Sequence, residues 1–274
     1  VDGEKRHFIC TALGMKKTLA SIFIFLGVAL FAHGQPLPYL KEPAFQAGEE
    51  LSYRLRYGML SAATGTLKVE DSKIKFSSPH SFHLSAHGRT SSGFSIFFTV
   101  YNRYDSYIDS RTFLPHYYTE NIREGTYRRT DIVRFDHRRH TVQGNKGTFQ
   151  SESAQTFDLL SAYYFARNLD LSQVKQGKSF KLTYFLNDEI ATLGIEYIGK
   201  ETIKTALGTM ECLKFSPEIK PGRIFKKDSR LYLWVTNDGN RIPVKAQVEI
   251  LVGSVTLELT GAKGLKYALG EQAK

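Results

Sequence analysis

From Gly48 onward, apolar and polar residues alternate with a period of two. Leu51, Tyr53, Leu55 and Tyr57 fall on one parity and Ser52, Arg54 and Arg56 on the other, the pattern of a strand with one buried face. Leu60 to Glu70 reads as its hairpin partner across Tyr57-Gly58-Met59. In the next strand Phe82, Leu84 and Ala86 alternate with His83, Ser85 and His87. Further strands are predicted over Tyr101–Asp109, His116–Arg123, Tyr127–Asp136 and His140–Gln143, joined by tight turns such as Arg123-Glu124-Gly125. One segment breaks the period. Between Asp158 and Leu171, Leu159, Ala162, Tyr163 and Ala166 recur at helical intervals, and the Asp158 carboxylate suits an N-cap. Leu160, Tyr164 and Leu171 add apolar surface on another side, so the helix should pack on more than one face. Strands resume at Lys178–Phe185, Ala191–Ile198, Met210–Pro217, Arg230–Thr236, Ile242–Ile250 and Ser254–Thr260. This order predicts a mainly β fold: an antiparallel, barrel-like sheet or curled sandwich with one helix packed near 158–171.

Ahead of the alternating region the pattern is different. Met15-Lys16-Lys17 supplies a positive start, Thr18 to Phe31 is apolar, and Ala32-His33-Gly34 places small residues where a signal peptidase reads. Residues 15–34 are therefore expected to be a signal peptide cleaved before Gln35, with residues 1–14 lying upstream of the true start. The apolar run is shorter than the roughly 20 residues a membrane helix needs, and no later run is longer. Residues 35–274 are expected to form a single β-rich domain with a core over about 45–265. The expected location is the periplasm or the exterior, with no transmembrane span in the mature chain.

Charge and cysteine usage narrow the partners. The chain of 274 residues carries a net charge of +10, of which the leader holds Lys5, Arg6, Lys16 and Lys17 against Asp2 and Glu4, leaving about +8 on the remainder. An exported basic protein does not meet nucleic acid, so anionic headgroups, acidic glycans or an acidic protein surface are the natural counterparts. Losing Cys10 with the leader leaves Cys212 alone. No internal disulfide can form, and the core must be stable by packing. The flanks of Cys212 place it on a strand face with Met210 and Lys214, as a packed, inert thiol.

No chemical motif stands out. His80, His83 and His87 invite a metal reading, but residues four apart on a strand stand about 13 Å from each other, too far for one ion. His137-Arg138-Arg139-His140 reads as an exposed basic turn. No pair of carboxylates is singled out, no nucleophile elbow or phosphate loop occurs, and no catalytic residue, metal or cofactor is expected. The aromatic residues carry the strongest hint, since a barrel of this size must turn many of them inward. Phe97, Phe98, Tyr164 and Trp234 are expected to line a ligand cavity, with Lys226 and Lys227 at its mouth as headgroup contacts.

Several segments resemble one known group. Gly48-Glu49-Glu50-Leu51-Ser52-Tyr53, Ile108-Asp109-Ser110 with Leu114-Pro115, Asp158-Leu159-Leu160-Ser161, Gly208-Thr209-Met210-Glu211-Cys212-Leu213 and Leu233-Trp234-Val235-Thr236-Asn237-Asp238 with Ile242-Pro243-Val244 occur in the order seen in the exported bacterial proteins of domain-of-unknown-function family 3108. That resemblance implies a β-rich, barrel-like envelope protein and no established activity. The final hairpin is also similar to that of periplasmic lipoprotein carriers, half-open barrels that shelter acyl chains, a likeness of fold alone. The resulting expectation is a non-enzymatic envelope protein that binds or carries a lipidic or amphipathic ligand. Alternatives are an assembly factor or scaffold that binds another envelope protein through a sheet edge, and a glycan hydrolase.

Overall fold

The computed structural model describes residues 42–76, 79–96, 99–171, 174–218, 229–250 and 253–272. The N-terminal series of strands is β1 (Glu50–Tyr57), β2 (Leu60–Asp71), β3 (Ser81–Thr90), β4 (Tyr101–Asp109), β5 (Pro115–Glu124), β6 (Tyr127–Asp136), β7 (Thr141–Gly144) and β8 (Gly147–Gln150). A two-residue strand β9 (Thr156–Phe157) and helix α1 (Leu159–Arg167) follow. The C-terminal series is β10 (Ser179–Leu186), β11 (Glu189–Thr205), β12 (Gly208–Pro217), β13 (Leu231–Thr236), β14 (Pro243–Glu249) and β15 (Ser254–Lys263).

All fifteen strands form one sheet in the order β8-β7-β6-β5-β4-β3-β2-β1-β15-β14-β13-β12-β11-β10-β9. From β1, in mid-sheet, the strands meander out to β8, cross to the other edge and meander back until β15 pairs with β1. The mainly β expectation with one packed helix holds, with two refinements. The sheet is mixed, because β9 pairs parallel to β10, and its edges do not pair to close a barrel. Residues 151–155 nevertheless join one edge to the other. A flat sheet of this size would hold its edges about 65 Å apart, whereas five residues reach only about 20 Å. The sheet must therefore roll.

The rolled sheet overlaps itself. Phe185 of β10 projects opposite to Leu182 and Tyr184, and it packs among Tyr118, Val133 and Val142 on the inner face of β5–β7. At this overlap a Cβ on Gly144 would lie 2.7 Å from the Phe185 ring, so any larger residue would have to displace that ring. The β10–β11 turn adds polar ties: Arg129 donates to Asn187 (2.6 Å) and the Lys146 amide to Asp188 (3.2 Å).

Helix α1 lies inside the roll. Its N-cap is the expected Asp158, which accepts from the Leu160 and Ser161 amides (2.8 and 3.0 Å) and from the Ser106 hydroxyl of β4 (2.7 Å). The cap thus orients the helix and ties it to the sheet. At the other end Arg167 is buried, donating to both carboxylate oxygens of Glu49 (2.5 and 2.7 Å) and to the Asn240 carbonyl. Glu49 is also buried. Leu160, Tyr164 and Phe165 pack into the main core with Phe45, Leu84, Ile108 and Phe157. Cys212, expected as a packed thiol, is fully buried, and burial pushes it up to about 12.

On the outer face, His83 and Arg103 converge on Asp105. Burial pushes the Asp105 carboxyl up, but hydrogen bonds from His83 (2.8 Å) and Arg103 (2.7 and 2.9 Å) outweigh it and hold the group at about 2.

Two predictions follow from these buried charges. Replacing Arg167 by Met strands the Glu49 carboxylate and should cost about 3–5 kcal/mol, while the double variant Glu49→Leu with Arg167→Met should recover much of that loss. Urea titration of the three proteins checks this, and a single-variant loss under about 1 kcal/mol would contradict it. Asp105 has a lowered pKa, so its stabilisation is fully present above its ordinary value of 3.8 and is lost as pH falls through about 2. Asp105→Asn should therefore cost about 2 kcal/mol at neutral pH and progressively less between about pH 4 and 2. Melting temperatures of both proteins across that range test it, and a gap independent of pH would count against the assignment.

Candidate ligand-binding groove

The helical stripe Leu159, Ala162, Tyr163 and Ala166 lies at the margin of the main core, against which Ala162, Tyr163 and Ala166 pack. It faces the inner surface of β10–β13, and the space between them is a groove of about 410 Å³, within the roughly 300–1,000 Å³ typical of small-molecule sites. Register builds its far wall. Phe180 pairs with Ile195, Leu182 with Leu193, and Phe215 with Leu233, so alternate residues of four strands present one apolar face. Ala162 and Ala166, one turn apart, keep the helical side shallow.

The groove has two different ends. At the floor lie Arg167, Arg241, Tyr163 and Pro243. Tyr53 donates to the Pro243 carbonyl (3.0 Å), with its hydroxyl 3.4 Å from that of Tyr163. Arg241 donates to the Leu169 carbonyl. Burial pushes its guanidinium below the usual range, with Asp170 and Asp238 acting in the opposite sense. Both floor cations thus have partners within the protein. At the mouth lie Leu159, which is 43% exposed, with Leu186, Pro217 and Leu231 at the ends of their strands. A larger depression of about 870 Å³ is bordered by Asp71, Ile74, Phe76, His80 and Ser110. Its lining mixes polar and apolar groups, so the smaller groove is the stronger candidate for an apolar ligand.

Two of the residues singled out from the sequence, Tyr164 and Trp234, lie elsewhere. Tyr164 is fully buried, its ring 4.8 Å from those of Phe45 and Tyr163, on the core side of the helix. Trp234 projects from the face of β13 opposite Leu233, packed between the ammonium groups of Lys214 and Lys245, each 4.8 Å from the ring. Neither borders the groove. Phe97, Phe98, Lys226 and Lys227 lie outside the described residues. The groove residues themselves were partly visible, since the stripe Leu159-Ala162-Tyr163-Ala166 is the very periodicity that predicts the helix. Arg167 and Glu49 were not foreseen; an arginine closing an otherwise apolar helix was the available signal.

Two carboxylates do meet. Glu120 and Asp131 are register partners on the inner face of β5 and β6, and both are buried. Tyr118 donates to Glu120 (2.9 Å), while Arg129 and Asn145 donate to Asp131. Burial raises the Glu120 pKa. The pair shares one strand ladder and its oxygens are engaged internally, unlike two carboxylates set across a substrate cleft. Among the described residues no three His, Cys, Asp or Glu side chains converge as a metal site, and no helix is long and apolar enough to cross a membrane.

Several solved structures are similar to this chain. A β-barrel-like protein of domain-of-unknown-function family DUF1849 from Brucella abortus aligns with a TM-score of 0.47 at 10% identity, covering 78% of this chain and 96% of that one. A protein from Bacteroides fragilis with a YmcC-like fold, provisionally described as exported, gives 0.39 at 12% identity over 80% and 97%. A protein from Parabacteroides distasonis provisionally described as a lipoprotein gives 0.37 at 12% identity over 84% and 100%. No curated protein matches the sequence. The sequence profile of DUF3108, proteins of unknown function, matches residues 52–260, from β1 into β15. On that extent, the chain belongs to the DUF3108 family.

Proposed function

We propose that this is a non-enzymatic envelope protein that shelters the apolar chain of a lipidic, amphipathic ligand in the groove between α1 and β10–β13. The observation that carries the reading is the groove itself, a space of about 410 Å³ walled by aliphatic and aromatic side chains, with Leu159 43% exposed at its rim. Leaving such surface to water is unfavourable, and a ligand that covers it recovers that free energy. Each buried methylene contributes about 0.8 kcal/mol. A chain of about ten carbons therefore gains on the order of 8 kcal/mol, the equivalent of micromolar affinity before ordering costs.

The ends of the groove favour one orientation. Glu49 already neutralises Arg167, and the Leu169 carbonyl engages Arg241, so the floor calls for no anion. The apolar tail enters first and the headgroup stays at the mouth. The leader expected at residues 15–34 supports a place in the envelope, where such ligands occur. Partner binding through a sheet edge is less well supported, because the two edge strands span only four and two residues and offer few backbone hydrogen bonds.

The test is to fill the groove. Ala166→Phe should weaken binding of a fluorescent long-chain fatty acid by about tenfold or more while the melting temperature stays near that of the parent protein. Val142→Ala, in the separate cluster around Phe185, should lower stability and leave probe affinity unchanged. Absence of probe binding by the parent protein, or equal binding by the filled variant, would overturn the proposal.

A further inference from the structure

The mouth of the groove belongs to a larger end of the molecule. Strand directions place the turns 57–60 and 124–127, with residues 90–96, 99–101, 249–250 and 253–254, at one end of the sheet, and backbone bonds knit them together. The Gly58 amide donates to Ser254 (3.1 Å), Ser91 to Ala62 (2.9 Å) and Gly125 to Thr99 (2.8 Å). The pairing of Leu231 with Val248 and of Glu249 with Ser254 makes this end continuous with the mouth at Pro217 and Leu231.

The same end carries side chains poorly suited to water. Met59 is 90% exposed, Ile96 84% and Leu60 60%, with Tyr127 and Tyr101 beside them at 54% and 51%. At the opposite end the most exposed large apolar residues among those described, Ile74 and Leu269, reach only 45% and 39%. The apolar turns are flanked by Arg89, Arg123 and Arg128 against two carboxylates, Glu124, which accepts from Asn102 (2.7 Å), and Glu249.

We infer that this end docks on an anionic phospholipid surface, with Met59, Leu60 and Ile96 entering the acyl boundary, Tyr101 and Tyr127 at headgroup level and the arginines on phosphates. The chemistry distinguishes a bilayer from a protein partner. A protein interface buries a contiguous apolar patch, whereas here the exposed apolar side chains are few and split between two turns, Met59-Leu60 on one and Ile96 on another. A fluid interface accepts such separate tips, and aromatic rings and cations match its outer layer. Docking here would set the groove mouth against the source of an acyl chain. The inference rests on the groove reading for its purpose, yet the two fail separately.

The experiment is flotation of the detergent-free protein with phosphatidylglycerol–phosphatidylethanolamine vesicles and with pure phosphatidylcholine vesicles. Binding should be stronger to the anionic vesicles and fall as salt is raised. Met59→Asp combined with Ile96→Asp should reduce it about tenfold or more, since both side chains are nearly free of contacts and the fold stays intact by circular dichroism. Leu269→Asp, at the far end, should bind as the parent does. No vesicle binding by the parent, or equal loss from Leu269→Asp, would overturn the inference. Vesicle binding that persists in Ala166→Phe while fatty-acid uptake is lost would support both readings. Vesicle binding by a parent protein that takes up no fatty acid would support docking and overturn the groove reading alone.

Discussion

Five residues set the shape of the sheet. Because residues 151–155 must carry the chain from β8 to β9, the two edges of a fifteen-stranded sheet are held close together. The edges do not pair, so the sheet rolls past closure and tucks β10 against the inner face of β5–β7 through Phe185. The interior of such a roll is too wide for one layer of side chains to fill. Helix α1 takes up the space on the side of β3 and β4, where Phe45, Leu84, Ile108 and Tyr164 complete the core. On the side of β10–β13 the small side chains of Ala162 and Ala166 leave space between helix and sheet, and that space is the groove.

The groove keeps its shape because the helix cannot turn. Asp158 holds its first turn to Ser106 of β4, and Arg167 holds its last residue to Glu49 and Asn240. A rotation that closed the groove would separate Arg167 from Glu49 and leave two buried charges unpaired. Ala162 and Ala166 are small enough that the stripe facing β10–β13 leaves room beside it.

Much of the fold was legible in the sequence. The alternation of Leu51, Tyr53 and Leu55 marks β1, and the spacing behind Asp158 marks α1, because period two and period 3.6 are imposed by local geometry. What stayed hidden depends on pairing. β9 has two residues and a parallel partner, with no room for a period, and β11 runs past its expected end through a bulge near Gly199. The site was harder for the same reason. Tyr163 and Tyr164 differ by one residue, about 100° around the helix, and nothing local says which side faces the unfilled space. In Leu231-Tyr232-Leu233-Trp234-Val235 both parities are apolar, so Trp234 looked as much a lining residue as Leu233. It lies instead on the opposite face, buried in a second cluster with Leu51, Cys212 and Val244 and flanked by Lys214 and Lys245, which only the register of β12 and β14 brings to its ring.

The most direct test of this account is a methyl NMR spectrum recorded with a fatty acid that carries a nitroxide near the end of its chain. Relaxation enhancement concentrated at Leu193, Leu233 and Val235, with Val69 and Val142 unaffected, is the result expected for a tail held deep in the groove. Enhancement centred on Ile74, beside the larger depression, or none at any methyl, would contradict it.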